Sequence, residues 1–160
     1  MKVVALDYGS ARTGVAVSDA SGTLARPLTI VEQVNTEAGL SALCDVLATE
    51  NAALVVVGMP YTLRGERGPQ ALETERFVDR LRTRCLIPIR TEDERFTTAI
   101  AQTQLSGRAA RRGNRRRSAS ASPASGDDAQ AAAVLLQGFL DRRAVADDDG
   151  SSGRSLLSDY

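Results

Sequence analysis

Residues 53–59, Ala-Leu-Val-Val-Val-Gly-Met, form an unbroken apolar run rich in β-branched side chains. A strand with one wet face alternates between apolar and polar residues. A continuous run is instead covered on both faces, which is the situation of an inner parallel strand. The run therefore predicts an α/β architecture, in which helices cover both faces of a sheet. Upstream, Lys2–Leu6 is a short apolar strand closed by Asp7-Tyr8-Gly9-Ser10, and Gly14–Val17 is a second strand ending at Ser18-Asp19. Ser21-Gly22 marks a hairpin turn, and Leu24–Val31 is a third strand, which Pro27 assigns to an edge or a bulge. Strands joined this tightly are antiparallel neighbours.

Beyond residue 35 the hydrophobic period changes to that of helices. Leu40, Leu43, Cys44 and Leu47 share one face of a helix over 36–49, and Leu72, Phe77, Val78 and Leu81 one face of a helix over 69–84. A strand at 87–91 follows, then a helix capped by Thr97-Thr98 and running to about Leu105. A final amphipathic helix over 127–143 turns Ala132, Leu135, Leu136, Phe139 and Leu140 inward. The order is three strands, a helix, a strand, a helix, a strand and two helices. With right-handed crossovers it gives a mixed five-stranded sheet with helices on both faces, the order of the RNase H-like fold. The 160 residues suit one domain, placed at 1–143. Within it, 107–126 lacks apolar periodicity and is expected to be a mobile basic loop, and 144–160 a disordered tail.

Composition narrows the chemistry. The chain has no His, which removes imidazole catalysis and His-ligated metal. Any metal must rest on carboxylates, which favours Mg²⁺ or Mn²⁺. Cys44 and Cys85 form no CxxC and fall in apolar helical patterns, so both are read as reduced core residues. The chain opens directly on a strand and carries no long apolar run, from which a cytosolic address is expected.

Carboxylates stand where an α/β sheet collects ligands, beyond its strand ends. Asp7 closes the first strand, Asp93 and Glu94 follow the last, and Asp127 and Asp128 open the final helix. Each also has a plain structural role: turn residue, solvated strand end, or partner of the helix macrodipole. Their combination is more specific. Phosphodiester cleavage requires an activated water and a stabilised leaving oxygen, which carboxylate-bound divalent ions supply. Arg108, Arg111, Arg112, Arg115, Arg116 and Arg117 concentrate positive charge in a chain whose net charge is zero, with 20 basic and 20 acidic residues. Such a segment can neutralise phosphates. With 3 Tyr, 3 Phe and no Trp, recognition by backbone and shape is expected rather than base stacking.

Several motifs together resemble the YqgF family of RuvX-like bacterial proteins. They are Leu6-Asp7-Tyr8-Gly9 with Arg12, Gly14-Val15-Ala16-Val17-Ser18-Asp19, Ala25-Arg26-Pro27-Leu28, Val57-Gly58-Met59-Pro60, Asp93-Glu94-Arg95-Phe96-Thr97-Thr98, and Asp128 before Ala131-Ala132. The resemblance spans about Met1 to Asp141. It implies an RNase H-like nuclease related to RuvC resolvases, dependent on Mg²⁺ or Mn²⁺, acting on Holliday junctions or on the 5′ end of precursor 16S rRNA. It carries catalytic roles onto Asp7, Glu94 and Asp128, with Asp93 a further metal ligand. Arg12, Arg95 and the 108–117 arginines are expected to hold nucleic acid, and a homodimer would pair two sites. Departures from the family are Phe96 in place of Leu, a longer and more Arg-rich segment before Asp128, and the tail. Gly58-Met59 stands where RuvC-like enzymes carry an acid. Two other readings compete: a nucleic-acid binder without chemistry, and an ATP-dependent phosphotransferase, for which one domain is too short.

Overall fold

In a computed structural model, which describes residues 1–61, 64–94 and 127–151, the chain runs β1 (Val3–Asp7), β2 (Arg12–Ser18), β3 (Ala25–Glu32), α1 (Glu37–Thr49), β4 (Leu54–Met59), α2 (Pro69–Arg84), β5 (Ile89–Asp93) and α3 (Asp127–Ser151). The strands form one mixed sheet in the order β3-β2-β1-β4-β5. The first three pair antiparallel, and β4 lies parallel to both β1 and β5. All six residues of β4 are buried, as its continuous apolar run requires. Pro27 lies on the edge strand β3 opposite Ala16, next to a register shift at Val15/Ala16, so the ladder loses little from its missing N–H.

The sheet separates two apolar layers. Val4, Leu6, Val15, Val17, Val55 and Val57 face α1 and α2, packing on Leu40, Leu43, Leu47, Phe77 and Leu81. Val3, Ala5, Ala16, Leu54 and Val56 face α3, packing on Ala132, Leu136, Phe139 and Leu140. Helices therefore cover both faces, as expected. Thr36 opens α1 by accepting a 3.1 Å hydrogen bond from the Gly39 N–H, and Pro69 occupies the first turn of α2, where its missing donor costs nothing.

Four expectations are corrected. The fifth strand spans 89–93 rather than 87–91, so Asp93 lies in the strand instead of after it. Its polar Thr91-Glu92-Asp93 is tolerated because β5 is an edge, only partly covered. Leu72 is 45% exposed, because the inward stripe of α2 is Ala71, Thr74, Phe77, Val78 and Leu81, one position away. The last helix continues past Arg143 to Ser151, so the tail is not disordered from 144 on. Ala144-Val145-Ala146 propagates a helix already nucleated, and no breaker stands between Arg143 and Gly150. Cys44 and Cys85 are free but only partly buried, at the margin of the core. The expected helix from Thr97, and the loop at 107–126, lie outside the described residues. Among the described residues no helix is long and apolar enough to cross a membrane.

Candidate carboxylate site

Because β1, β4 and β5 are parallel, their C-terminal ends meet at one edge of the sheet. Asp7 ends β1, and Met59 of β4 pairs with Asp93 of β5. Glu94 follows directly, its N–H donating to the Met59 carbonyl at 3.2 Å. That bond turns the chain back over β4 and lays the Glu94 side chain across Gly58. A β-carbon at position 58 would stand 2.5 Å from Glu94 Oε1 and 2.9 Å from its Cγ. Gly58 thus leaves the space that Glu94 fills.

A second glycine brings in the third carboxylate. Gly14 pairs with Asp7 across the β1–β2 ladder. A β-carbon on Gly14 would collide with the Asp128 carbonyl and come within 2.8 Å of the Ala129 nitrogen. The first turn of α3 therefore rests on bare backbone beside Asp7. Asp128 is partly buried there, whereas Asp127 is exposed. An ion pair between Arg142 and Glu92, at 2.9 Å, also ties α3 to β5.

The electrostatics follow from this crowding. Asp7 and Glu94 share a hydrogen bond. Burial raises the Asp7 carboxyl above its ordinary range, the bond to Glu94 opposes that rise, and the charge of Asp128 adds to it. Glu94 is pushed up to about 7, first by burial, then by the charge of Asp7, the bond to Asp7 and the charge of Asp93. Like charges leaving water together retain a proton. Here Asp7 and Glu94 share it across their hydrogen bond. Among the described residues no three acidic or thiol side chains converge as they stand. Asp7 and Glu94 are joined through the proton, and Asp128 acts on Asp7 through its charge. The donors are all hard carboxylate oxygens, and a proton bridges two of them. That chemistry fits a hard divalent cation, which would displace the proton.

Beside these carboxylates lies a cavity of about 240 Å³, lined among others by Asp7, Tyr8, Gln70, Glu73, Thr74 and Glu94. The Tyr8 hydroxyl donates to Glu73 at 2.9 Å, and its ring stacks on Phe77 with centroids 4.7 Å apart. Burial and the Glu73 carboxylate push the Tyr8 hydroxyl up to about 12, so it remains a donor. Sequence reasoning missed Glu73, because a polar residue near the start of a helix carries no signal of the cavity it borders.

Of the residues singled out in the sequence, Asp7, Asp93, Glu94 and Asp128 thus lie at one end of the sheet. Arg12 opens β2 at that same end, on the exposed side. Arg95, Arg108, Arg111, Arg112, Arg115, Arg116 and Arg117 lie outside the described residues.

Comparison with known proteins gives a consistent picture. Residues 1–142 match the model of the RuvX family, described as Holliday junction resolvase. A relative from Rhodococcus jostii is 40% identical over 158 residues, covering 94% of this chain and 83% of its own length. One from Chloroflexus aurantiacus is 36% identical over 144 residues, covering 88% and 87%. Both carry the name "Putative pre-16S rRNA nuclease". Among solved structures, Thermus thermophilus RuvC in complex with a Holliday junction substrate superposes with a TM-score of 0.54 at 17% identity, covering 89% of this chain and 95% of that one. At that identity the likeness speaks for the fold, which is RNase H-like.

Proposed function

Since the chain belongs to the RuvX family, we propose that it is a metal-dependent endonuclease that hydrolyses phosphodiester bonds in structured nucleic acid. The observation that carries this reading is the hydrogen-bonded pair of Asp7, at the end of β1, and Glu94, just after β5, with Asp128 of the first turn of α3 near enough to act on Asp7 through its charge and two glycines left bare beside them. Asp7, Glu94 and Asp128 are the residues assigned to hold Mg²⁺ or Mn²⁺, with Asp93 next to Glu94 in reserve. When bound, the cation supplies Lewis acidity toward the phosphate and the attacking water.

The protein's own groups do the rest. Glu94 gives up the proton it shares with Asp7, and both become full anions facing the same point. Gly58 fixes where the Glu94 carboxylate can lie, and Gly14 fixes how near Asp128 comes. Arg12 stands at the same edge to meet a phosphate oxygen, and Arg95 with the 108–117 arginines is assigned to further phosphates along the backbone. The family description and the relatives' names point to two substrates, a four-way DNA junction and precursor 16S rRNA. Both present helical backbone. Cutting a junction symmetrically would use two copies of this site, and hence a two-fold dimer.

The test incubates purified protein with a four-way junction and with precursor 16S rRNA in Mg²⁺ or Mn²⁺, beside Asp7→Asn. Metal-dependent cleavage of either substrate that Asp7→Asn abolishes is the expected result. Salt-sensitive binding without cleavage in any metal would overturn the enzymatic reading in favour of a binder.

A further inference from the structure

The two cysteines are 41 positions apart in sequence, yet their sulfurs stand 3.0 Å apart. Cys44 belongs to α1 and Cys85 caps the end of α2. Both flank the apolar layer beneath those helices, and both are partly buried, so a small solute can reach them. They are separate from the carboxylate site. Thr74 lines the cavity, and Cys85 lies about 16 Å further along the α2 axis at the helical rise of about 1.5 Å per residue.

Bonded sulfurs sit about 2.05 Å apart, so roughly 1 Å of movement would close the gap. We propose that Cys44 and Cys85 are a redox-active dithiol, which a peroxide converts to an intrachain disulfide tying α1 to the end of α2. The Cys44 sulfur attacks the peroxide O–O bond, giving a sulfenic acid and one water. The Cys85 sulfur then displaces the remaining oxygen as a second water and forms the S–S bond. Two thiol hydrogens and one H₂O₂ thus become two waters and a disulfide. Cys44 takes the first step because burial and its neighbour push the Cys85 thiol up to about 12, leaving it protonated. A low-molecular-weight thiol reverses the change by exchange.

The experiment treats the full-length protein with H₂O₂ and follows intact mass, thiol alkylation, peptide mapping and thermal melting, with and without dithiothreitol. The expected product is lighter by two hydrogens, has no alkylatable thiol, and yields a Cys44–Cys85 linked peptide. Closing a loop of this length should raise Tm by roughly 8–16 °C, reversed by dithiothreitol. Cys44→Ser and Cys85→Ser should each show no such rise. Thiols that remain alkylatable, separate sulfinic acids, links between two chains, or an S–S bond that fails to raise Tm would each overturn the proposal.

Discussion

Gly58→Ala separates the placement of Glu94 from the stability of the fold. The added β-carbon would lie 2.5 Å from Glu94 Oε1, whereas ordinary contact begins at 3.4 Å, so the carboxylate must retreat by about 1 Å. What it meets is the end of a side chain and not backbone, so the sheet need not move. Moving Glu94 off its rotamer costs about 0.5–1.5 kcal/mol. Replacing glycine where φ is not positive recovers about 0.4–1 kcal/mol from the unfolded chain. The net change in stability should stay within about 1 kcal/mol, a Tm shift of about 2–4 °C. The chemistry does not share that tolerance. A misplacement of about 1 Å lowers a rate by about 100-fold, equivalent to about 2.7 kcal/mol of transition-state stabilisation. Single-turnover cleavage and thermal melting, run on the same preparation, read both numbers. In addition, Gly58→Ala/Glu94→Ala should cut no more slowly than Glu94→Ala, because the two changes act through one carboxylate. A folded Gly58→Ala protein that cleaves at the wild-type rate, or a double variant in which the losses add, would refute the reasoning.

The other glycine should behave in the opposite way. Gly14→Ala drives a β-carbon into the Asp128 carbonyl, which is backbone, so α3 must lift from the sheet. The expected loss is about 1–3 kcal/mol or more in a denaturant titration, and a change below about 0.5 kcal/mol would contradict the packing described. For the metal-free protein, the folded-state rise of Glu94 to about 7 from an ordinary 4.5 sets a pH dependence. Its contribution is fully present below pH 4.5 and is lost as pH rises through 7, leaving the chelated protein about 1–2 kcal/mol less stable at pH 8 after allowance for solvent screening. Urea unfolding across that range checks the sign, and Glu94→Gln should flatten the curve. Tyr8→Phe removes the hydroxyl bonded to Glu73 but keeps the stack on Phe77, so its cost should stay below about 1 kcal/mol by urea unfolding.

Much of the fold was legible because burial dictates residue type. The apolar run Leu54–Met59 could only be an inner strand, and Pro27 could only lie at an edge or a bulge. The polar strand Ile89–Asp93 was placed two residues early, because an edge strand need not be apolar and its boundary follows from pairing with β4. The overrun of α3 to Ser151 reflects propagation from a nucleated helix, which a fading apolar stripe conceals. The carboxylates Asp7, Glu94 and Asp128 were singled out by their place at element ends. The reason they can approach one another was not visible. Gly58 touches a residue 36 positions away, and Gly14 one 114 positions away, so their importance exists only once the sheet is assembled. Glu73 was missed for the same reason.

The account turns on whether these carboxylates act as one cation site. Calorimetric titration of Mn²⁺ into wild type, Asp7→Asn and Asp128→Asn, in two buffers of different ionisation enthalpy, measures this directly. Wild type should bind at neutral pH with proton release, and each variant should bind at least about 10-fold more weakly. Wild-type affinity in Asp128→Asn, or binding by wild type that releases no proton, would contradict it.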